Sequence, residues 1–241
     1  MTGLRDSRYW LIGASEGLGR ALAKELDRAG AQLVLSARNA GRLDELSQTL
    51  GNALPLPLDV TDSTAVGPAV EAAGPIDGLI YNAGAYLPMT ARNWDSEAAL
   101  AMVDVNFMGA LRVLGTVVPA MVERRAGDIV LVGSLAGYRG LPAAIGYGAS
   151  KAALVSLAET MRHDLNGSGV TVHLVNPGFV KTRLTDRNSF PMPQLMSPEA
   201  AALRIVKAMR SKRFRTDFPA PFSWGIRLYG MLPDFLAYRG R

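Results

Sequence analysis

What most restricts the fold of this chain is an alternation. Apolar runs of strand length, at 9–12, 32–36, 76–81, 128–132 and 170–175, are separated by helix-length segments. Strands that alternate with helices are joined by long crossovers, so they lie parallel, the crossovers are right-handed, and helices cover both sheet faces. The expected fold class is α/β: a doubly wound parallel sheet, one domain over 1–241, with ligands bound beyond the carboxyl ends of the strands. No fixed-period repeat or Gly/Ser linker divides the chain.

Composition narrows the setting. With 241 residues, 49% of them hydrophobic, the chain can bury a sizeable core. It has no cysteine, which excludes a disulfide framework and a cysteine metal site and fits a reducing, cytoplasmic setting. The two histidines, His163 and His173, are too few and too far from the motifs to suggest a metal: His163 is expected to face solvent and His173 to lie in a strand. Residues 1–10 lack the apolar core of a secretory signal and read as mature sequence. The apolar stretch 105–122 is broken by Arg112 and Gly115, short of the roughly 20 clean residues of a bilayer span, and reads as a core helix. The net charge of +5 favours anions such as phosphorylated cofactors, whereas only Lys212, Arg213 and Arg215 hint at a nucleic-acid patch.

After the first run comes Gly13-Ala14-Ser15-Glu16-Gly17-Leu18-Gly19, then an amphipathic stretch with Ala21, Leu22, Leu26 and Ala29. In a strand–turn–helix, such glycines permit a tight turn, let backbone N–H groups approach a pyrophosphate, and seat a helix N-terminus whose partial positive charge favours it. Glycines also open turns that bind nothing, so the βα context carries this reading. About 20 residues beyond the loop, where an NAD site offers an acid to the ribose, stands Arg38, whose fork suits the 2′-phosphate of NADP. NADP(H) is therefore favoured over NAD(H), with Glu16 an unhelpful charge. Asp59, beside Val60, either accepts from an adenine amino group or caps the helix that follows.

Tyr147 and Lys151 stand at i and i+4 of a helix striped by Leu154, Ala158, Met161 and Leu165, so they share a face. A phenol near pKa 10 is a poor base at neutral pH, but an ammonium and a cationic nicotinamide would both stabilise its phenolate. Such a pair is more often a solvated helix face. Ser134, ending the run 128–132 and Gly133, adds a donor where a substrate oxygen would lie; its duller reading is a turn serine.

With these motifs together, the chain resembles the short-chain dehydrogenases/reductases, in their compact single-domain branch, over nearly its whole length. Gly13, Gly17 and Gly19, Asn82-Ala83-Gly84, Asn106, Ser134, Tyr147, Lys151 and Asn176-Pro177-Gly178 follow the family's order and approximate spacing. The resemblance implies a Rossmann-type fold and hydride transfer at the pro-S-facing side of a nicotinamide. It implies that Tyr147 exchanges the proton, Ser134 polarises the carbonyl, and Lys151 lowers the tyrosine pKa and binds the nicotinamide ribose. Asn106 would support a proton path through water, and Asn82, Ala83 and Gly84 would shape the adenosine side. Pro177, Gly178, Val180 and Thr182 would face the nicotinamide, with Thr182 near the carboxamide. Two positions depart from the pattern: Ile12 replaces the usual threonine and Tyr81 the usual first asparagine.

The substrate side is expected to be bounded by Tyr86, Leu87, Leu135, Ala136, the 139–145 loop and a lid over 179–197. It is mostly apolar, which suits a lipophilic carbonyl or alcohol, with Arg139 or Arg183 as possible anchors for an acidic group. The tail is expected to form one more helix, an edge strand and a terminal segment. Its apolar part, 218–238, is read as a cover over the entrance, an oligomer contact or a membrane-surface patch, with packing on the protein itself favoured over the membrane. A homodimer or homotetramer without nucleic acid is expected. Three other readings remain: a cofactor-binding regulatory or redox-sensing protein, an epimerase of sugar nucleotides, which the short chain disfavours, and a nucleic-acid binder, which ranks last.

Overall fold

A computed structural model describes residues 4–238; residues 1–3, the start of the segment read as mature sequence, lie outside it. In chain order the elements are β1 (Arg8–Ile12), α1 (Gly17–Arg28), β2 (Gln32–Ser36), α2 (Ala40–Ser47), β3 (Ala53–Pro55), α3 (Ser63–Ala73) and β4 (Gly78–Tyr81). Then follow α4 (Ser96–Val103), α5 (Gly109–Glu123), β5 (Gly127–Val132), α6 (Ile145–Asp164), β6 (Val170–Pro177), α7 (Pro198–Met209), β7 (Arg215–Phe218), α8 (Phe222–Met231) and α9 (Asp234–Ala237). The described strands make one seven-stranded sheet in the order β3-β2-β1-β4-β5-β6-β7, parallel throughout. This is the doubly wound, Rossmann-type single domain.

Period-2 alternation sends successive strand side chains into two cores. Tyr9, Leu11, Leu33 and Leu35 pack with Leu22 and Leu26 of α1 and Ile205 of α7. Trp10, Ile12, Val34 and Tyr81 pack with Val66 of α3, Val113 and Val117 of α5 and Leu154 of α6. Burial on both faces is why these strands read as unbroken apolar runs, each fully buried aliphatic side chain contributing about 1.5–3 kcal/mol.

The helical stretch Ser96–Glu123 is long and apolar enough, by length and composition, to cross a membrane. Here one side of its second half, Val113, Val117 and Met121, lies in the sheet core. Between α4 and α5 the residues Asp104–Met108 widen into a π turn that includes Asn106. The tail departs from expectation. Its edge strand is present as β7, but the terminal segment forms two helices, α8 and α9.

Candidate active site

The strand order places the ends of β1, β2, β4, β5 and β6 along one edge, so their following residues converge on a cleft of about 700 Å³. It is lined by Gly13, Ser15, Glu16, Gly17, Leu18, Gly19, Arg38, Asp59, Val60, Asn82, Ala83, Gly84, Tyr147, Lys151, Pro177, Gly178, Val180 and Thr182, together with Arg42 and Arg183.

The glycine turn is held by three hydrogen bonds from its two flanks. Gly13 and Ala14 donate backbone N–H to Ser36 O, at 2.7 and 3.1 Å, and Asn82 Nδ2 donates to Gly13 O at 2.9 Å. Gly13 has φ +87° and a Cβ there would lie 2.7 Å from Ala83, so the position requires glycine. The turn feeds α1, whose N-cap Glu16 makes no side-chain cap and whose first turn has no acidic residue. The leading N–H groups of α1 therefore face the cleft with helix-dipole charge and no competing carboxylate cap, which fits a pyrophosphate.

Glu16 instead turns sideways. Its Oε2 accepts from Arg42 Nη1 at 2.7 Å and its Oε1 pairs with Arg183 Nη2. The unhelpful charge is thus held between two arginines, and Arg183 lines the same cleft as Glu16. Arg38 is exposed at the rim and forms no ion pair among the described residues. Asp59 accepts from Thr61 N and Oγ1, whereas Asp62 caps α3; of the two earlier readings, helix capping falls to Asp62.

Ser134 follows β5 and is buried; its Oγ accepts from Ala136 N at 3.1 Å, and its side chain is near enough to the Tyr147 phenol to act against that phenol's upward shift. Lys151 is buried one turn along α6 from Tyr147, with Nζ donating to Val132 O at 2.9 Å and 5.8 Å from the Tyr147 ring centre. Burial pushes the Lys151 ammonium down to about 8. Burial also pushes the Tyr147 phenol above its ordinary value, partly offset by Ser134.

Asn106 is fully buried. Its Oδ1 accepts from Ala85 N at 2.6 Å, and its Nδ2 donates to Ala85 O at 3.0 Å and to Ser150 Oγ at 2.9 Å, while Ser150 Oγ donates to Tyr147 O. The side chain fixes the 82–85 turn to α6. The two family departures are absorbed into the scaffold. Ile12 is core, and Tyr81 donates to Val105 O at 2.6 Å inside the π turn, in space kept open by Gly109. Thr182 stacks against Gly17, so close that a Cβ on Gly17 would meet its methyl at 2.9 Å.

On the substrate side, the Tyr86 ring meets Tyr147 edge-on at 4.9 Å, and Tyr86 Oη donates to Asn188 Oδ1 at 2.7 Å. Phe179 contacts Phe190 and stacks on Phe222 of α8 at 5.7 Å. Both ends of the 179–197 segment are tied together, Met196 N donating to Phe179 O and Lys181 N to Met196 O. Arg139 is no anchor: it donates to Tyr229 O, Leu232 O and Asp234 Oδ1 and lies over the Tyr229 and Tyr238 rings, holding the tail. Behind Ser134, Tyr138 and Asn176 donate to buried Asp217, joining β6, β7 and the turn after β5. Reading by motif passed over Arg42, Ser150, Asn188 and Asp217; only Arg42, four residues after Arg38, left a signal in its spacing.

Comparison with known proteins agrees with this geometry. The model of the short chain dehydrogenase family matches residues 9–191. A Myxococcus xanthus protein named an uncharacterized oxidoreductase is 38% identical over 232 residues, covering 93% of this chain and 92% of its own. A Burkholderia cenocepacia short chain dehydrogenase solved with NADP superposes with a TM-score of 0.87 at 27% identity, over 98% of this chain and 97% of that one. A Burkholderia phymatum short chain dehydrogenase/reductase solved with NAD gives 0.87 at 26% identity, over 95% and 94%.

Proposed function

The chain belongs to the short-chain dehydrogenases/reductases, oxidoreductases that interconvert carbonyl and hydroxyl groups on a nicotinamide cofactor, and from that membership we propose an NADP(H)-dependent enzyme for a lipophilic carbonyl or alcohol in which Tyr147 is the acid/base. The observation that carries this reading is the convergence at the carboxyl edge of the sheet of buried Ser134, after β5, with Tyr147 and buried Lys151, one turn apart on α6.

A bound nicotinamide supplies hydride to the carbonyl carbon, or accepts it from the alcohol. Ser134 and Tyr147 hold the substrate oxygen between two hydroxyls, and Tyr147 gives or takes its proton. Lys151, held by Val132 O, orients toward the ribose side and keeps positive charge near the phenol. Asn106 positions both the 82–85 turn and α6. The α1 N-terminus, Ser15 and the Gly13–Gly19 backbone suit the pyrophosphate, with Asn82, Ala83, Gly84, Asp59 and Val60 on the adenosine side. Pro177, Gly178, Val180 and Thr182 close the nicotinamide side. Arg38 and Arg42 together suit a 2′-phosphate, which supports NADP over NAD.

Tyr86, Phe179, Phe190 and Phe222 support an apolar substrate and a lid function for 179–197. The exposed Leu100, Met108, Leu111 and Val122 along α4, the π turn and α5 support a homodimer or homotetramer, and the absence of cysteine supports a reducing cytoplasm. Tyr147→Phe is expected to lower turnover by about 10²–10⁴-fold while NADPH binding, followed by fluorescence, stays near wild type. Substantial residual reduction across a panel of aldehydes, ketones and 3-oxoacyl thioesters would defeat the assignment.

A further inference from the structure

The tail has two faces. α8 turns Phe222, Ser223 and Tyr229 toward the protein and Trp224, Leu228 and Met231 away from it. Their spacing of four and then three residues puts these three on one side of the helix, and they are 68%, 60% and 74% exposed. α9 adds Phe235 at 72% and Leu236 at 45%. Single exposed apolar side chains are ordinary, but a row that includes Trp and Phe marks a contact surface. Packing on the protein itself, the fate expected from sequence, holds only for the inner face.

The positive charge of the sequence is concentrated in the same last stretch of chain. Residues 198–241 hold nine Lys/Arg against three Asp/Glu, whereas residues 1–197 hold 17 against 18, so the whole positive excess comes from the last elements. Of the three acids, Asp217 is buried against Tyr138 and Asn176, and Asp234 is paired with Arg139. The helices α7 and α8 both flank β7, the edge strand of the sheet.

We propose that this C-terminal edge docks on an anionic lipid bilayer, with Trp224, Leu228, Met231 and Phe235 entering the headgroup region and half-exposed Arg227, on the same helix, meeting lipid phosphate. Aromatic and aliphatic side chains beside Arg and Lys are the combination that lies in that interface. A second copy of the chain suits the surface less, because apposing two such edges brings the same excess positive charge against itself. The inner face of α8 carries Phe222 stacked on Phe179, so docking sets the bilayer beside the aromatic wall of the cleft. The inference does not depend on which cofactor or substrate the site takes.

The test uses the full 241-residue chain with vesicles of phosphatidylcholine alone and of equal parts phosphatidylcholine and phosphatidylglycerol, by co-sedimentation at low and high salt. The expected result is binding to the mixed vesicles about tenfold or more tighter than to the neutral ones, weakened by salt. The double variant Leu228→Glu, Met231→Glu should lose about tenfold or more, from two apolar side chains no longer buried. The milder Leu228→Ser should lose part of the affinity. Both variants change exposed positions, and unchanged circular-dichroism melting confirms their fold. The proposal is overturned if the wild-type chain sediments with neither vesicle, or if the double variant binds as the wild type does. It is equally overturned if sizing shows a self-association that the double variant abolishes and the mixed vesicles do not compete away.

Discussion

Glu16 shows how one residue can stand against a motif and still belong to it. From sequence it is a negative charge in a phosphate loop; in the fold it is a hub between Arg42 and Arg183. On the proposed NADP reading a 2′-phosphate beside Arg38 would compete with Glu16 for Arg42, so Glu16→Gln should free that arginine and remove a repulsive charge. The expected outcome is binding of 2′,5′-ADP about two- to fivefold tighter than wild type, with 5′-AMP changed less, by isothermal titration. Weaker binding of both fragments would give Glu16 a scaffold role. If wild-type protein does not distinguish the two fragments, the NADP preference itself is wrong. Of the residues proposed to carry the chemistry, Tyr147 and Lys151 were readable because their spacing is set within one helix, α6, and Ser134 because it follows an apolar strand run. The ion-pair partners of Glu16 were not, since Arg42 and Arg183 approach it from a neighbouring helix and from the 179–197 segment.

At the scale of elements, apolar runs announced the central strands because burial on both faces leaves no polar alternation to blur them. The run 32–36 coincides with β2. β3 escaped notice because three residues, one of them exposed, carry too little pattern. The tail escaped for a different reason: prolines at 219, 221 and 233 suggest broken structure, yet they sit before and between α8 and α9, where a missing N–H does no harm. What fixes those helices is tertiary, the Arg139 guanidinium clamped on two carbonyls, Asp234 and two rings. Arg139→Ala should therefore loosen α8 and α9 with little effect on the sheet. Limited proteolysis should cut within 219–238 several-fold faster while the main thermal transition moves by only about 2–4 °C, roughly a kcal/mol in a domain of this size. A global fall in melting temperature with no new cleavage would contradict the clamp.

For the whole molecule, the end of the sheet opposite the cleft holds a buried charged centre. His173 of β6 places Nε2 3.1 Å from Asp128 of β5 and Nδ1 3.2 Å from Arg213 O, while Tyr9 of β1 donates to Asp128 Oδ2 at 2.9 Å. Burial works against the imidazolium, but Asp128 and the carbonyl outweigh it and raise the His173 pKa above 6.5. A raised folded pKa gives stability that is fully present below the unfolded value and is lost as pH rises through the folded one. His173→Gln should thus lower the melting temperature by about 2–4 °C on the acid side, the gap narrowing at alkaline pH; a gap independent of pH would remove the charge argument. The strand order has a separate consequence for synthesis. β1 leaves the ribosome early and finds β2 at once, but its other neighbour is β4, so the N–H and C=O groups along that flank remain open until residues 78–81 have been made. The first third of the nascent chain therefore passes through a state with a sticky edge at what becomes the centre of the sheet, and slowing translation before that point should increase its demand for chaperones.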